Sequence, residues 1–247
     1  MTSRAAVAPS RTPLYRSVKQ QITEALREGR WKHGQKIASE PQLARRFNAS
    51  VGTIRKAVGE LVAENILVRE QGRGTFVRTH GRDYMLSVFF RIVGHDGSHE
   101  LPEVKLLQMK RARADRTTAQ DLRLKARAPV FDIETLLSLD GRPVILDRMR
   151  VPVQLFPDLT HSGFTRREGT VYGFFQDRYG ITIVRAQEFI TAVAADERSA
   201  RLLQVAPGTP LLRIVRTSCT YKDLPVDTRV RLVSCANHGY LSQLGKA

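Results

Sequence analysis

Between residues 39 and 77 the chain runs twice through one short pattern and then turns on glycines. That stretch narrows the choice of fold more than any other. Ser39 precedes a run carrying Leu43, Ala44 and Phe47. After Asn48-Ala49, Ser50 precedes Ile54, Ala57, Val58, Leu61 and Val62, the 3.6-residue spacing of a one-sided helix. Both serines suit an N-cap, where a side-chain oxygen accepts from an otherwise unpaired N–H. Glu40 suits the positive end of the helix dipole. Upstream, Pro13 suits a helix start, Leu14, Val18, Ile22 and Leu26 recur every four residues with Ala25 beside them, and Gly29 ends the run. Downstream, the β-prone runs Ile66–Arg69 and Thr75–Val77 flank Gln71-Gly72-Arg73-Gly74. Two short helices in tandem followed by a hairpin spell a winged helix-turn-helix. The exposed first turns of its second helix enter a major groove and its wing tip lies in or over the minor groove. A nucleotide-phosphate loop is disfavoured, because no GK[ST] follows and the turn joins two strands.

The charge agrees. Lys+Arg number 40 against 24 Asp+Glu, a formal +16 over 247 residues. Residues 1–82 hold 16 basic and 6 acidic side chains, and residues 83–247 hold 24 and 18, so the surplus concentrates at the front. A surplus of that size attracts a polyanion, either nucleic acid or an anionic membrane surface. No stretch approaches the roughly 18–20 apolar residues of a membrane span, and the N-terminal residues lack an apolar signal core. Cys219 and Cys235 are too few for a secreted disulfide scaffold and are read as thiols. The expectation is a cytoplasmic protein that touches nucleic acid and no membrane. The length suits one large or two ordinary domains, and 42% hydrophobic residues can bury a core. Residues 1–12 read as a flexible arm, with a minor-groove tail as the alternative.

Over residues 13–78 the segments PLYRSVKQQITEALREG, KHGQKIASEPQLARRFNASVGTIRKAVGELVAENILV and REQGRGTFV resemble the GntR family of bacterial transcription regulators. In that family DNA contacts come from an Arg after the SE pair, an Arg after the third helix's Ser cap, an Arg four residues on, and the wing glycine. Here those positions hold Pro41, Val51, Arg55 and Gly72, so only the last two match. Arg45, Arg46, Lys56 and Arg73 stand nearby to supply phosphate charge. Base reading falls to Thr53, Arg55 and Val51 against a thymine methyl. With the caps Ser39 and Ser50, these make up the expected DNA-contact set.

Residues 79–83, THGRD, read as a polar linker. From residue 84 the pattern turns strand-like: MLSVFFRIV, EVKLLQMKRARA, the hairpin VFDIETLLSL-DGRP-VILDRMRVP, ITIVRAQEFITAVAA, and a hairpin from TPLLRIVRTSCTY through KDLP to VDTRVRLVSC. Helices are expected in TTAQDLRLK with a Thr cap, in TVYGFFQDRYG ending at Gly180, and in DERSARLLQV capped by Asp196. Helices among antiparallel strands mean an α+β domain around one sheet. The landmarks LDGRPVILDR, TVYGFFQDRYGI, LLQVAPGTPLLRIVR and LPVDTR resemble the UTRA effector domain of the HutC subgroup of GntR regulators. The resemblance implies a mainly antiparallel, chorismate-lyase-like fold over residues 84–247 that binds a small metabolite and forms a homodimer.

In sugar-phosphate-sensing relatives an RxR pair grips the ligand's anion from the strand before the DG turn. Here that pair is Thr135 and Leu137, which cannot clamp a phosphate, so a phosphosugar is disfavoured. Asp147, Thr170, Tyr172 and Asp227 fall at the remaining polar positions of the pocket. Three of them also have a plainer reading: Asp147 as a surface partner of Arg148, Tyr172 as core, Asp227 as a strand-end ion pair. Acidic groups without the paired Arg suggest a hydroxyl, amine or amidine ligand with an apolar body, although Arg148 or Arg229 would still offer a cation to a carboxylate. His95 and His99 have a metal-like spacing, but GHDGSH reads as a turn, so neither metal nor cofactor is expected. The function expected is an effector-controlled DNA-binding regulator, a repressor as the resemblance implies, and not an enzyme. Lyase-type catalysis in the second domain and constitutive DNA binding without effector are the alternatives.

Overall fold

The computed structural model describes residues 13–243, so the expected arm at residues 1–12 lies outside the described residues. The chain divides into two compact units between Arg78 and Thr79.

In the first unit, α1 (Leu14–Arg27), α2 (Glu40–Arg46) and α3 (Val51–Ala63) precede the hairpin β1 (Leu67–Glu70) and β2 (Gly74–Val77). The apolar periods meet in one core, with Ile22, Leu43, Ile54, Leu61 and Leu67 all fully buried. Leu14, the first of its series, remains 54% exposed. Ser39 and Gln42 form a capping box: the Ser39 N–H and Oγ–H both donate to Gln42 Oε1 at 2.9 Å. Ser50 Oγ accepts from the Thr53 N–H at 3.1 Å. An extended segment lines the wing from outside, the Ile37 N–H donating to Thr75 O and the Val77 N–H to Gln35 O, both at 2.9 Å.

Residues 79–83, expected as a linker, fall in the second unit and are anchored to it through His80, while Thr79, Gly81, Arg82 and Asp83 are exposed. His80 is buried. Its backbone N–H donates to Gln176 Oε1 at 3.0 Å, and its Nε2–H donates to Ile183 O at 2.7 Å. A single turn, α4 (Arg82–Tyr84), runs into a π-turn over Met85–Phe89, closed by the Phe90 N–H donating to Met85 O at 2.7 Å. MLSVFF is therefore not a strand. A short apolar run has no period that separates strand from helix, and here packing decides. β3 (Ile92–Gly94) follows. Then come β4 (Glu103–Arg113), α5 (Arg116–Asp121), β5 (Pro129–Leu139), β6 (Arg142–Pro152), α6 (His161–Thr165), α7 (Val171–Tyr179), β7 (Arg185–Ala194), α8 (Glu197–Leu203), β8 (Pro210–Thr220), β9 (Leu224–Ser234) and β10 (His238–Tyr240). The cap of α5 is Asp115, not the expected threonine: its side chain accepts from the Thr118 N–H at 2.7 Å.

Six strands form one antiparallel sheet in the order β4-β5-β6-β9-β8-β7. The two sequence hairpins lie side by side, so β6 and β9 are central. Successive side chains alternate between faces. One face carries Phe131, Ile133, Met149 and Val226 and packs against α6, α7 and the π-turn through Phe164, Tyr172 and Phe175. The other carries Leu146 and packs against α8 through Ala200 and Leu203. Both faces of the central strands are thus covered. α7 starts at Thr170, whose Oγ1 accepts from the Gly173 N–H, and stops at Gly180, whose φ of +66° is the left-handed cap conformation.

Candidate functional site

The first unit exposes its basic residues around the start of α3. Arg45, Ser50 and Thr53 line one shallow concavity with Asn48. Val51 is 37% exposed at the first helical position. Arg55, one turn on, is exposed, and its Nε donates to Glu40 Oε2 at 2.9 Å. Glu40 Oε1 accepts in turn from Arg69 Nη2 of β1 at 3.2 Å. One carboxylate at the head of α2 thereby ties together arginines from α3 and β1. Arg69 escaped the sequence reading because a basic residue on a short strand carries no motif. Arg46 lies over the Trp31 ring at 5.3 Å and Lys56 Nζ over Tyr15 at 4.1 Å. Such contacts are worth about 0.5–1 kcal/mol at exposed sites, less than a charge-assisted bond to phosphate. At the wing, Gly72 has φ +72° and Arg73 pairs with Glu70. The ten expected DNA-contact positions are therefore polar, basic or exposed groups on α2, α3 and the wing.

The second unit holds a half-open cavity of about 180 Å³ between the inner sheet face, α6, the start of α7 and the π-turn. Its wall is largely apolar: Met85, Phe90, Leu101, Ile133, Leu137, Met149 and Phe164. Thr135, Leu137, Asp147 and Thr170 line it, as the sequence suggested. Thr170 also donates its Oγ1–H to His80 O at 3.0 Å. Tyr172 and Asp227 do not belong to the wall. The Tyr172 hydroxyl pairs with Ser218 Oγ at 2.7 Å behind it. Asp227 is fully buried and accepts from Arg229 Nε at 2.8 Å. Tyr172 and Asp227 instead hold Arg229, whose guanidinium sits 5.1 Å from the Tyr172 ring centroid.

The arginine pair missing from β5 is made up elsewhere, and Arg229, left open by the sequence as a cation, is part of it. Arg167, Arg229 and Arg231 all line the cavity. The reason is register. On the inner face Ile133, Met149 and Arg229 stand in one cross-strand row, and Thr135, Asp147 and Arg231 in the next. The Thr135/Leu137 pair on β5 has no cation, yet an Arg-x-Arg pair two strands away faces the same space. Arg148 does not: it points to the other face and forks onto Asp132 at 2.8 and 2.5 Å. Nor is Asp147 a surface partner of Arg148. It is buried, with Oδ2 3.3 Å from Arg229 Nη1 and 3.5 Å from Arg231 Nε.

Electrostatics separate the three arginines. Burial works against the charge of Arg229, but Asp227, Tyr172 and Asp147 outweigh it and hold the pKa above its ordinary value. Burial pushes Arg231 down to about 10 despite Asp147, with like-charged Arg216 and Arg229 adding to the fall. Arg167 is lowered by burial and by Arg229. Arg167 Nε, Arg231 Nε and Asp147 Oδ1 are buried without a hydrogen-bond partner in the protein. His95 and His99 stand in a turn, the His99 ring bonding Phe90 O at 2.7 Å, and no metal-type cluster occurs among the described residues.

A basic winged helix-turn-helix joined to an α+β unit with a charged cavity defines a ligand-responsive DNA-binding regulator. The family comparisons agree: residues 14–77 match the model for bacterial regulatory proteins of the gntR family, and residues 98–233 match the UTRA domain. The chain belongs to the GntR family and carries a UTRA effector domain. It is 31% identical over 224 residues to the histidine utilization repressor of Pseudomonas putida, covering 90% of this chain and 87% of that one. It is 30% identical to a Shigella flexneri protein named "Probable fructoselysine utilization operon transcriptional repressor", covering 86% of this chain and 87% of the relative. Among solved structures it resembles the ligand-binding domain of a GntR-family regulator from Bordetella bronchiseptica. The identity is 34% and the TM-score 0.61, covering 64% of this chain and 98% of that one. These relatives are named as regulators, and the chain is a transcriptional regulator rather than an enzyme.

Proposed function

We propose that the protein is a cytoplasmic, homodimeric repressor that holds a near-palindromic operator until a small metabolite enters the cavity of its UTRA domain. The observation that carries this reading is the pairing, in one chain, of an exposed, capped recognition helix with a cavity whose polar groups are buried and only partly matched. The repressor names of its relatives support the direction of the response. No helix among the described residues is long and apolar enough to cross a membrane.

In the head, the Ser39 and Ser50 helix starts and Arg45, Arg46, Lys56 and Arg73 fix the duplex by its phosphates. Thr53, Val51 and Arg55 meet base edges, and Gly72 lets the wing approach the minor groove. In the second unit, Thr135, Leu137, Asp147 and Thr170 touch the metabolite, while Tyr172 and Asp227 act through Arg229. A phosphosugar is disfavoured, because Thr135 and Leu137 supply no clamp on β5 and the Arg229 and Arg231 pair facing the same space is already shared with Asp147. The mechanism is linkage: the metabolite favours one arrangement of the heads and the operator another. A coupling of about 2–3 kcal/mol weakens operator binding roughly 30–150-fold.

Gel-shift titration of the full chain on its own upstream DNA, with and without a metabolite library, tests this. A retained fragment released by one metabolite class is expected. A fragment held regardless of every metabolite would favour constitutive binding instead.

A further inference from the structure

We infer that the cavity takes a metabolite with a single negative charge, a monocarboxylate on an apolar body, gripped from β9 by Arg231 together with Arg167 of the α6–α7 connection. This deepens the preceding reading, which it presupposes, by naming the chemistry of the effector.

The charge count points that way. Of the three arginines on the wall, Arg229 pairs with Asp227 and Asp147 and Arg231 with Asp147, while Arg167 makes no ion pair among the described residues, which leaves one positive charge in the surroundings of the cavity. Arg216, next to Arg229 in the register, is neutralised by Glu188. The three arginines also differ in what they lack. Arg229 is fully engaged by Asp227, Asp147 and Met149 Sδ. Arg231 reaches its partner only at 3.5 Å, is 5% exposed, and keeps Nε unbonded. Arg167 lies over the Phe164 ring and, among the described residues, hydrogen-bonds only the Phe164 carbonyl, and it also keeps Nε unbonded. A buried guanidinium left short of acceptors is costly, and a charge-assisted bond to an anion offsets that cost. A dianion is disfavoured: it exceeds the one-charge surplus and would press against the Asp147 carboxylate. The apolar wall of Phe90, Ile133 and Leu137 receives the body.

The test is calorimetric titration of the full-length protein with four probes: phenylacetate, its neutral isostere phenylacetamide, phenyl phosphate, and inorganic phosphate. Phenylacetate is expected to bind at least about tenfold tighter than the amide and tighter than either phosphate. Arg231→Gln and Arg167→Gln are each expected to weaken phenylacetate tenfold or more without lowering operator affinity, which separates the cavity from simple anion binding by the basic head. Equal binding of acid and amide, tighter binding of phenyl phosphate, absence of phenylacetate binding, or indifference of both variants would each overturn the inference. Operator retention in the same preparations reports on the regulator reading independently, so either idea fails without the other.

Discussion

Asp147 on β6 and Arg231 on β9 stand directly opposite one another in the sheet, Oδ2 3.5 Å from Nε, both side chains almost wholly buried. Their neighbour Arg229 is bound to the same carboxylate oxygen. One acid thus sits between two buried guanidinium cations and holds their charge as well as forming part of the cavity wall. Removing one member of such a group leaves uncompensated charge and costs about 3–5 kcal/mol. Asp147→Ala is expected to lower the unfolding free energy by that order, read from a urea titration, and to lose effector response with it. Asp147→Asn, keeping shape and one acceptor, is expected to lose less. Equilibrium unfolding of both variants checks this; equal, small losses would show that the arginines do not depend on Asp147.

In the head, Arg55→Ala is expected to cost about 1–3 kcal/mol of operator affinity if Arg55 meets a base edge. Removing Glu40, which accepts from both Arg55 and Arg69, frees two arginines at once. Glu40→Gln is therefore expected to raise affinity for non-specific duplex while narrowing the gap to the operator. Fluorescence anisotropy on specific and scrambled duplexes reads both; an Arg55→Ala protein with wild-type affinity would exclude the base-reading role.

The wing turn depends on Gly74. Its φ is +121°, and a Cβ there would lie 2.6 Å from Lys36 Cε. The lysine tip can move, but the backbone conformation is one that only glycine adopts readily. Gly74→Val is expected to destabilise the chain by about 1–3 kcal/mol and to weaken DNA binding through the displaced wing. Thermal unfolding and anisotropy check this together; an unchanged melting curve would show the turn relaxing freely.

Acid should weaken the second unit through Glu188. Burial works to raise its pKa, but Arg216 and the Tyr240 hydroxyl outweigh burial and leave it below its ordinary 4.5. A carboxylate lowered in the fold binds protons less readily than in the unfolded chain. Its stabilisation is therefore present above 4.5 and fades as the pH falls through the lowered value. Glu188→Gln is expected to melt lower than the parent at neutral pH, the gap closing in acid. A gap constant down to the acid limb would contradict it.

The head was legible in the sequence because its signals are local: caps, a 3.6-residue period and a glycine turn each span only a few residues. The α+β class and both hairpins followed from alternation for the same reason. The cavity was half legible. Asp147 and Thr170 were found through the landmarks around them, but Arg231 was not. On VDTRVRLVS the charged alternation of Asp227, Arg229 and Arg231 looks like a solvent face, and only the central position of β9 between β6 and β8 turns it inward. The opposing phase of Asp147 was the available clue. His80 was misread as linker because its partners Gln176 and Ile183 lie about a hundred residues away.

The central claim is that the basic head grips duplex phosphates. A duplex selected from a random pool by the full-length protein, then titrated over a salt series, tests it most directly. The expected result is retention of a two-fold-related sequence, with log affinity falling linearly with log salt at a slope of about −0.9 per phosphate neutralised. Failure to enrich any duplex, or affinity that does not change with salt, would contradict the account.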